Sequence, residues 1–188
     1  MPYDSSATKE RILEAATTEF AEYGFAGARV DRIAKDAEAN KRAIYDYFGD
    51  KRALFGAVLE RQMRVVAEAV PVDGKDMAGY ATGLVDYHLA HPEHWRLLMW
   101  EALELGSGEV PDEAVRTAHY GDKVRALGEA GAADASELDA RELLFFTLGV
   151  VNWGFVVPQI RRMVLGGELS PEQLRDAVSK AVQALAGK

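Results

Sequence analysis

The chain of 188 residues contains no cysteine. A disulfide framework and a thiolate metal site are therefore both excluded. No apolar run approaches the roughly 18 residues of a membrane-spanning helix, so we expect no membrane partner. The start, MPYDSSATKE, has neither the basic region nor the apolar core of a secretory signal. A cytoplasmic protein is the expectation.

Motifs of catalysis are also missing from the sequence. It contains no nucleophile–base pair, no G-x-S-x-G, no H-E-x-x-H and no phosphate-binding loop. We therefore expect neither an enzyme nor a cofactor. His88, His91 and His94 form an H-x2-H-x2-H run. Pro92 interrupts their helix, and no carboxylate or cysteine completes a ligand set, so no metal site is predicted.

Alternating strand patterns are absent, and the apolar spacing is helical from end to end. In the first segment Ile12, Ala16 and Phe20 recur every four residues. The patterns predict an all-α protein of about nine helices, with a three-helix head on a C-terminal helical bundle. We place the head at residues 1–52 and the bundle at residues 53–188. One long helix is expected from Ser136, with a kink at Pro158.

The net charge of −8 is unevenly distributed along the chain. Residues 29–64 contain nine Lys and Arg against six Asp and Glu. Phosphate attraction is local, because charges are screened beyond a Debye length of about 8 Å at physiological salt. A basic face on an acidic protein can therefore bind a nucleic acid duplex.

The stretch VDRIAKDAEANKRAIYDYFGDK, residues 30–51, has the pattern of two short helices joined by a tight turn. Asn40 and Asp50 are each suited to cap the helix that follows. Each of these helices then begins with a cation pair, at Lys41 with Arg42 and at 51–52. Cations at the positive end of a helix dipole are mildly destabilising. Solvated side chains would explain one such start, but two within ten residues indicate an anionic partner such as phosphate.

The segment TKERILEAATTEFAEYGFAGARVDRIAKDAEANKRAIYDYFGDKRALFGAVLE, residues 8–60, resembles the DNA-binding region of TetR-family transcriptional regulators. The matching pieces are ILEAA with Phe20 and Gly24, the IA of the second helix, the IYDYF block, and Lys51 with Leu54. The resemblance implies a homodimeric, sequence-specific repressor that a small, mostly apolar effector releases from a palindromic DNA operator.

The resemblance also implies which residues contact DNA. The recognition helix would reach base edges in the major groove with its first residues. The implied contacts are Arg29, Asn40, Lys41, Arg42, Ala43, Tyr45, Tyr47 and Lys51. Core packing is the alternative for Tyr47, and for Phe48 it is the preferred interpretation. This chain departs from the family pattern at Glu38, where glycine is usual, and at Arg42, where a small residue is usual. Glu38 must adopt a left-handed conformation or shift the turn.

Large side chains are concentrated between residues 80 and 100, where the family analogy places an effector cavity. The predicted effector-binding residues are Tyr80, Leu84, Tyr87, His88, Trp95, Met99, His119 and Asn152. An ordinary aromatic core is the alternative interpretation.

The C-terminal helices are predicted to form the dimer interface, because the helix from Ser136 is apolar nearly all round and the last helix is amphipathic. The predicted interface residues are Phe145, Leu148, Val151, Phe155, Leu174, Val178 and Ala181. The alternative is that both helices complete a monomer core. Two other functions stay open: an all-α small-molecule-binding protein or enzyme with a vestigial head, and a constitutive DNA-binding dimer with a filled core.

Overall fold

The computed structural model describes residues 5–187, which form ten α-helices and no strand. The predicted all-α fold is confirmed. The helices are α1 (Ser5–Gly27), α2 (Val30–Asp36), α3 (Lys41–Phe48), α4 (Lys51–Ala69), α5 (Met77–Ala90), α6 (Pro92–Leu105), α7 (Glu113–Glu129), α8 (Ala140–Val156), α9 (Pro158–Leu165) and α10 (Pro171–Leu185).

The helix expected from Ser136 is two helices, which explains why ten are found instead of about nine. The first, α8, begins only at Ala140, because Asp139 caps it and forms a capping box with Glu142. The chain then turns by 89° between α8 and α9. Pro158 has no backbone N–H and its ring conflicts with the preceding turn, so it starts a new helix at its first position.

One compact unit contains the described residues up to Arg64 together with Arg96–Glu113. Its core is formed by fully buried side chains from α1 to α4, among them Ile12, Phe20, Ile33, Ile44 and Phe55. The rings of Phe20 and Phe55 meet edge to face, with centroids 4.9 Å apart. This unit contains the predicted head and extends beyond it along α4, which runs unbroken through residue 52. The predicted domain boundary at that residue stays a prediction.

The second unit contains Val65–Trp95 and the described chain from Ala114 onward. Here α10 packs along α5 and α8, and its apolar stripe of Leu174, Val178 and Val182 is buried. Ser170 caps α10 in a capping box with Gln173. Both α4 and α6 contribute residues to the two units.

Within residues 5–187, no single helix has both the length and the apolar composition of a membrane span, although α8 and α9 pass that test together across their bend.

Candidate nucleic-acid interface and candidate ligand cavity

The turn between α2 and α3 has the geometry of a helix-turn-helix. Glu38 adopts a left-handed conformation with φ of +48°, the first of the two alternatives predicted for it. Asn40 has an extended backbone, and its side-chain oxygen accepts from the Arg42 N–H at 2.8 Å. The predicted cap is therefore formed. It fixes the start of α3, while Ile44 anchors the helix in the core at 1% exposure.

The outer face of α3 presents polar and cationic side chains. Arg42 is 88% exposed, and its nearest carboxylate, that of Asp46, lies 3.9 Å away. Tyr45 is 42% exposed, and Ala43 is half-buried beside it. Lys41 is exposed but forms an ion pair with Asp31 of α2 at 2.7 Å, and this hydrogen bond raises the pKa of Lys41. Arg42 is thus the most accessible cation of the predicted recognition helix.

Two predicted backbone-contacting residues lie partly inside the unit. Tyr47 is half-buried and packs with Phe48 against the core. Lys51 points its ammonium toward the end of α1, 3.5 Å from the Ala26 carbonyl oxygen and 4.9 Å from the Phe25 ring centre. Burial lowers the pKa of Lys51. The second predicted cap is present next to it, because the Asp50 carboxylate accepts from the Ala53 N–H at 2.7 Å.

A buried carboxylate organises the start of α2. Glu19 is 5% exposed and accepts from the Arg29 backbone N–H at 2.7 Å and from Arg32 Nε at 2.8 Å. Arg32 also stacks over the Tyr23 ring at 4.3 Å. Arg32, whose side chain is still partly exposed, thus pairs with a buried carboxylate. The side chain of Arg29 remains exposed.

The end of α1 receives contacts from α6 that sequence patterns did not indicate. The Ala21 carbonyl oxygen accepts from Arg96 Nε at 2.8 Å and from Trp100 Nε1 at 3.2 Å. Glu104 accepts from the Ala26 N–H at 3.3 Å. These bonds surround Gly24, where α1 departs from helical geometry with φ of +69°. Met99, predicted as an effector contact, lies on this part of α6.

The second unit has a cavity of about 660 Å³ between α7 and α8. Its lining is Thr117, Tyr120, Gly121 and Val124 of α7 with Arg141, Leu144, Phe145, Leu148, Gly149 and Asn152 of α8. This volume lies in the range of small-molecule sites, about 300–1,000 Å³. Asn152 is the predicted effector residue that lines it.

The other predicted effector residues lie in or near the core of the second unit, apart from Met99. Four of them on α5, Tyr80, Leu84, Tyr87 and His88, are buried. Trp95 and His119 are half-buried. Burial raises the pKa of Tyr80 to about 12, and its hydroxyl lies 3.3 Å from Lys123 Nζ. The aromatic positions between 80 and 90 therefore form packed core in this structure, and their role in effector binding stays a prediction.

A pair of buried imidazoles adjoins the cavity through Asn152. The Asn152 side-chain oxygen lies 3.0 Å from His88 Nε2, and His88 stacks on His94 with ring centroids 5.3 Å apart. Burial lowers the pKa of His88 to about 4 and that of His94 to about 3. Their Nδ1 atoms are buried without a hydrogen-bond partner among the described residues.

The third histidine of the H-x2-H-x2-H run, His91, is exposed next to Glu93. In the described part of the chain, no group of three or more His, Cys, Asp or Glu side chains is arranged to hold a metal ion.

An exposed apolar face lies on α8 and α9. Phe145 is 70% exposed, Met163 71% and Val164 73%. The other large apolar side chains exposed on these helices are Phe146, Trp153, Ile160 and Leu165. Of the predicted dimer residues, Phe145 is exposed, whereas Leu148 and Ala181 are half-buried. The remaining four, Val151, Phe155, Leu174 and Val178, belong to the core of the unit.

The capped turn and the exposed face of α3 define a helix-turn-helix DNA-binding protein, and comparisons with known proteins specify the family. The model for bacterial regulatory proteins of the tetR family matches residues 12–58, and the tetracyclin repressor-like C-terminal domain matches residues 76–183. The HTH-type transcriptional repressor SCO4008 of Streptomyces coelicolor is 48% identical over 96% of this chain and 95% of its own length. The chain belongs to the TetR family of transcriptional regulators.

Solved structures agree with this assignment. The transcriptional regulator SCO4942 of Streptomyces coelicolor has a TM-score of 0.79 and 34% identity, covering 94% of this chain and 97% of that chain. AibR, solved with isovaleryl coenzyme A and operator DNA, shares the fold, with a TM-score of 0.69, 20% identity, and coverage of 97% of this chain and 99% of that chain.

Proposed function

We propose that this protein represses transcription by binding a palindromic operator as a homodimer, and that a small, mostly apolar effector releases it. The observation that carries the proposal is the exposed face of α3, held by the Asn40 cap. In helix-turn-helix proteins the first residues of this helix enter the major groove, and this supports the proposal. The protein is then a cytoplasmic regulator and not an enzyme, in keeping with the repressor name of its 48% identical relative.

In the proposed complex, Arg42 reads bases and its neighbours hold the phosphates. A guanidinium can donate two hydrogen bonds to one guanine, which contributes about 1–3 kcal/mol of discrimination. Arg42 is the most open cation of α3, so we assign it this role, with Asn40, Ala43 and Tyr45 beside it.

Lys41 and Arg29 contact phosphate. Because the end of α1 and the Phe25 ring hold the ammonium of Lys51, its role is to position the head.

The proposed effector site is the cavity between α7 and α8. Its walls are mostly apolar, and Asn152 connects it to the buried His88 and His94. His94 lies on α6, the helix that also carries Trp100 against the end of α1. A ligand at Asn152 can therefore act on α6. For release it must favour the non-binding state by a few kcal/mol, since equal affinity for both states shifts nothing.

The proposed dimer uses the exposed apolar face of α8 and α9. Apolar patches of this kind mark interaction sites, and two-fold dimers are the commonest oligomers. Two heads on one dimer would bind half-sites about one helical turn, or a multiple of it, apart. We therefore place the interface at Trp153 of α8 and the exposed residues of α9. The four predicted residues that are core in the protomer would support this surface from behind.

The test is selection of genomic DNA fragments by the purified protein at a defined moderate salt concentration. We expect a palindromic site bound at nanomolar concentration, and loss of that binding in the Lys41→Ala, Arg42→Ala double variant. The matched control is Arg125→Ala with Lys180→Ala, which removes two exposed cations of the second unit. Weak, sequence-blind binding by the wild-type protein would contradict the proposal and favour a small-molecule-binding protein with a vestigial head.

A further inference from the structure

The lining of the cavity between α7 and α8 extends along α8. The six α8 residues that line it, from Arg141 to Asn152, follow the spacing of a single helical stripe. Eleven residues separate these two ends, which at 1.5 Å per residue is about 16 Å along the helix axis. A long, narrow ligand therefore fits better than a compact one.

On α8 the polar groups lie at opposite ends of this stripe, and the wall between them is apolar, while Thr117 and Tyr120 of α7 also border the cavity. Leu144, Phe145 and Leu148 occupy the middle of the α8 side, and Val124 lies on the α7 side. No acidic side chain is among the ten lining residues of the described chain. A cationic ligand would lose its hydration there without gaining an ion pair.

Arg141 is available to an anion. The two acids next to it in the chain are both engaged in the capping box of α8. Asp139 accepts from the backbone N–H groups of residues 141 and 142, and Glu142 accepts from the Asp139 N–H. The guanidinium itself is exposed and forms no ion pair with any described residue. Such a group binds carboxylates with two parallel hydrogen bonds.

Asn152 determines which ligand group fits at the end of the cavity opposite Arg141. Its side-chain oxygen is paired with His88 Nε2, so its amide N–H groups are the donors that remain for a ligand. The matching ligand group is an acceptor oxygen, as in a hydroxyl or a carbonyl.

We propose that this cavity binds an elongated apolar carboxylate, with the carboxylate on Arg141, the carbon chain along α8, and an acceptor oxygen near Asn152. A hydroxy or oxo fatty acid is the class that meets all three requirements. The inference deepens the proposed function by specifying the effector. Ligand binding is measured without DNA. If no fatty acid binds, the proposed DNA recognition is unaffected.

The test is isothermal titration of the full chain with 12-hydroxydodecanoate, dodecanoate and dodecyltrimethylammonium below their micellar concentrations. We expect the hydroxy acid to bind more tightly than dodecanoate, and both acids far more tightly than the ammonium. Arg141→Gln should weaken both acids about tenfold or more, because it removes a charge-assisted bidentate contact. Equal binding of the ammonium, or no effect of Arg141→Gln, would overturn the proposal. Equal affinity for the two acids would overturn the role of Asn152.

A second variant fills the cavity without endangering the fold. A β-carbon at Gly121 would meet nothing within 4 Å, and leucine favours a helix more than glycine does. We expect Gly121→Leu to abolish acid binding. The matched control is Gly128→Leu, two turns further along α7, where a β-carbon also meets nothing within 4 Å but the residue does not line the cavity. Unchanged binding in Gly121→Leu would exclude the cavity as the site.

Discussion

The indole of Trp100 packs on the bare α-carbon of Gly24, at the point where α1 bends. A β-carbon at Gly24 would lie 2.7 Å from Trp100 Cε3, and the backbone φ of +69° is itself disfavoured for other residues. We expect Gly24→Ala to lower the free energy of unfolding by about 2–3 kcal/mol, measured by urea denaturation of the purified protein.

The control for this prediction is Gly27→Ala, three residues further along. There φ is not left-handed and the nearest atom to a new β-carbon is Tyr23 Cβ at 3.3 Å. We expect it to cost less than about 1 kcal/mol. If both variants lose the same stability, the Trp100 contact is not the cause.

Because Asp31 forms an ion pair with Lys41, we predict that the Asp31 carboxylate weakens DNA binding at the proposed interface. Removing the carboxylate in Asp31→Asn frees the Lys41 ammonium for phosphate. Exposed pairs contribute about 0.2–1 kcal/mol, so we expect DNA affinity to rise about twofold to fivefold by fluorescence anisotropy. Asp122→Asn, which breaks an exposed pair with Arg125, should leave the affinity unchanged. A weaker complex in Asp31→Asn would contradict the assignment of Lys41.

Glu38 holds a left-handed conformation that glycine would adopt without strain. We expect Glu38→Gly to be at least as stable as the wild type. Glu38→Ala removes the same charge but keeps the strain, which is about 1 kcal/mol in this region. The two variants should therefore differ by about that amount in chemical denaturation, with the glycine variant more stable. Equal stabilities would show that the turn relaxes at no cost.

The buried histidines predict a loss of stability in acid. Burial lowers the pKa of His88 to about 4 and of His94 to about 3, whereas histidine in the unfolded chain titrates near 6.5. Between those values the unfolded chain binds protons that the folded chain does not. Stability is therefore complete above about pH 6.5 and falls as the pH is lowered. By linkage, each of the two histidines lowers the free energy of unfolding by about 2 kcal/mol at pH 5.

Thermal unfolding between pH 7.5 and 5 tests this directly. We expect His94→Phe to show a shallower decline of Tm than the wild type, because one of the two buried imidazoles is gone. His91→Gln is the control, since His91 is exposed and should leave the decline unchanged. A decline in His94→Phe as steep as in the wild type would assign the acid sensitivity to other groups.

The proposed dimer should dissociate when charged side chains are introduced on the exposed face of α9. Met163→Glu with Val164→Glu places two carboxylates on residues that contribute little to the protomer core. We expect a folded monomer in light scattering coupled to gel filtration, and a large loss of operator affinity because the two heads are no longer joined. Val115→Glu, on an exposed apolar position of α7, should remain dimeric. Persistence of the dimer in the double variant would place the interface elsewhere.

Local signals account for most of what the sequence predicts correctly. The caps at Asn40 and Asp50 and the turn at Glu38 depend on groups only a few residues away, so the sequence pattern contains most of what is needed. The break at Pro158 also has a local cause. The same missing hydrogen bond can produce either a kink within one helix or a break between two helices, and the sequence pattern alone does not decide between these outcomes.

Contacts between distant residues explain the parts that were not predicted. Glu19 lies 13 residues before Arg32, and Ala21 lies 75 residues before Arg96. Helical periodicity assigns each residue a face but not a partner. The cavity shows the same limit, since α7 supplies one of its walls and only Asn152 among the predicted effector residues lines it. The aromatic side chains of α5, which suggested a pocket, pack instead against their neighbours.

Many cations of the head are engaged before any DNA arrives: Glu19 holds Arg32, Asp31 faces Lys41, and the end of α1 holds Lys51. A duplex exchanges its condensed counterions for protein charges, with a slope of about −0.9 in log affinity per log salt for each neutralised phosphate. Charges that are already paired displace few of these ions. The operator should therefore lose less affinity as the ionic strength rises than the number of cations in the head would give if all of them were free.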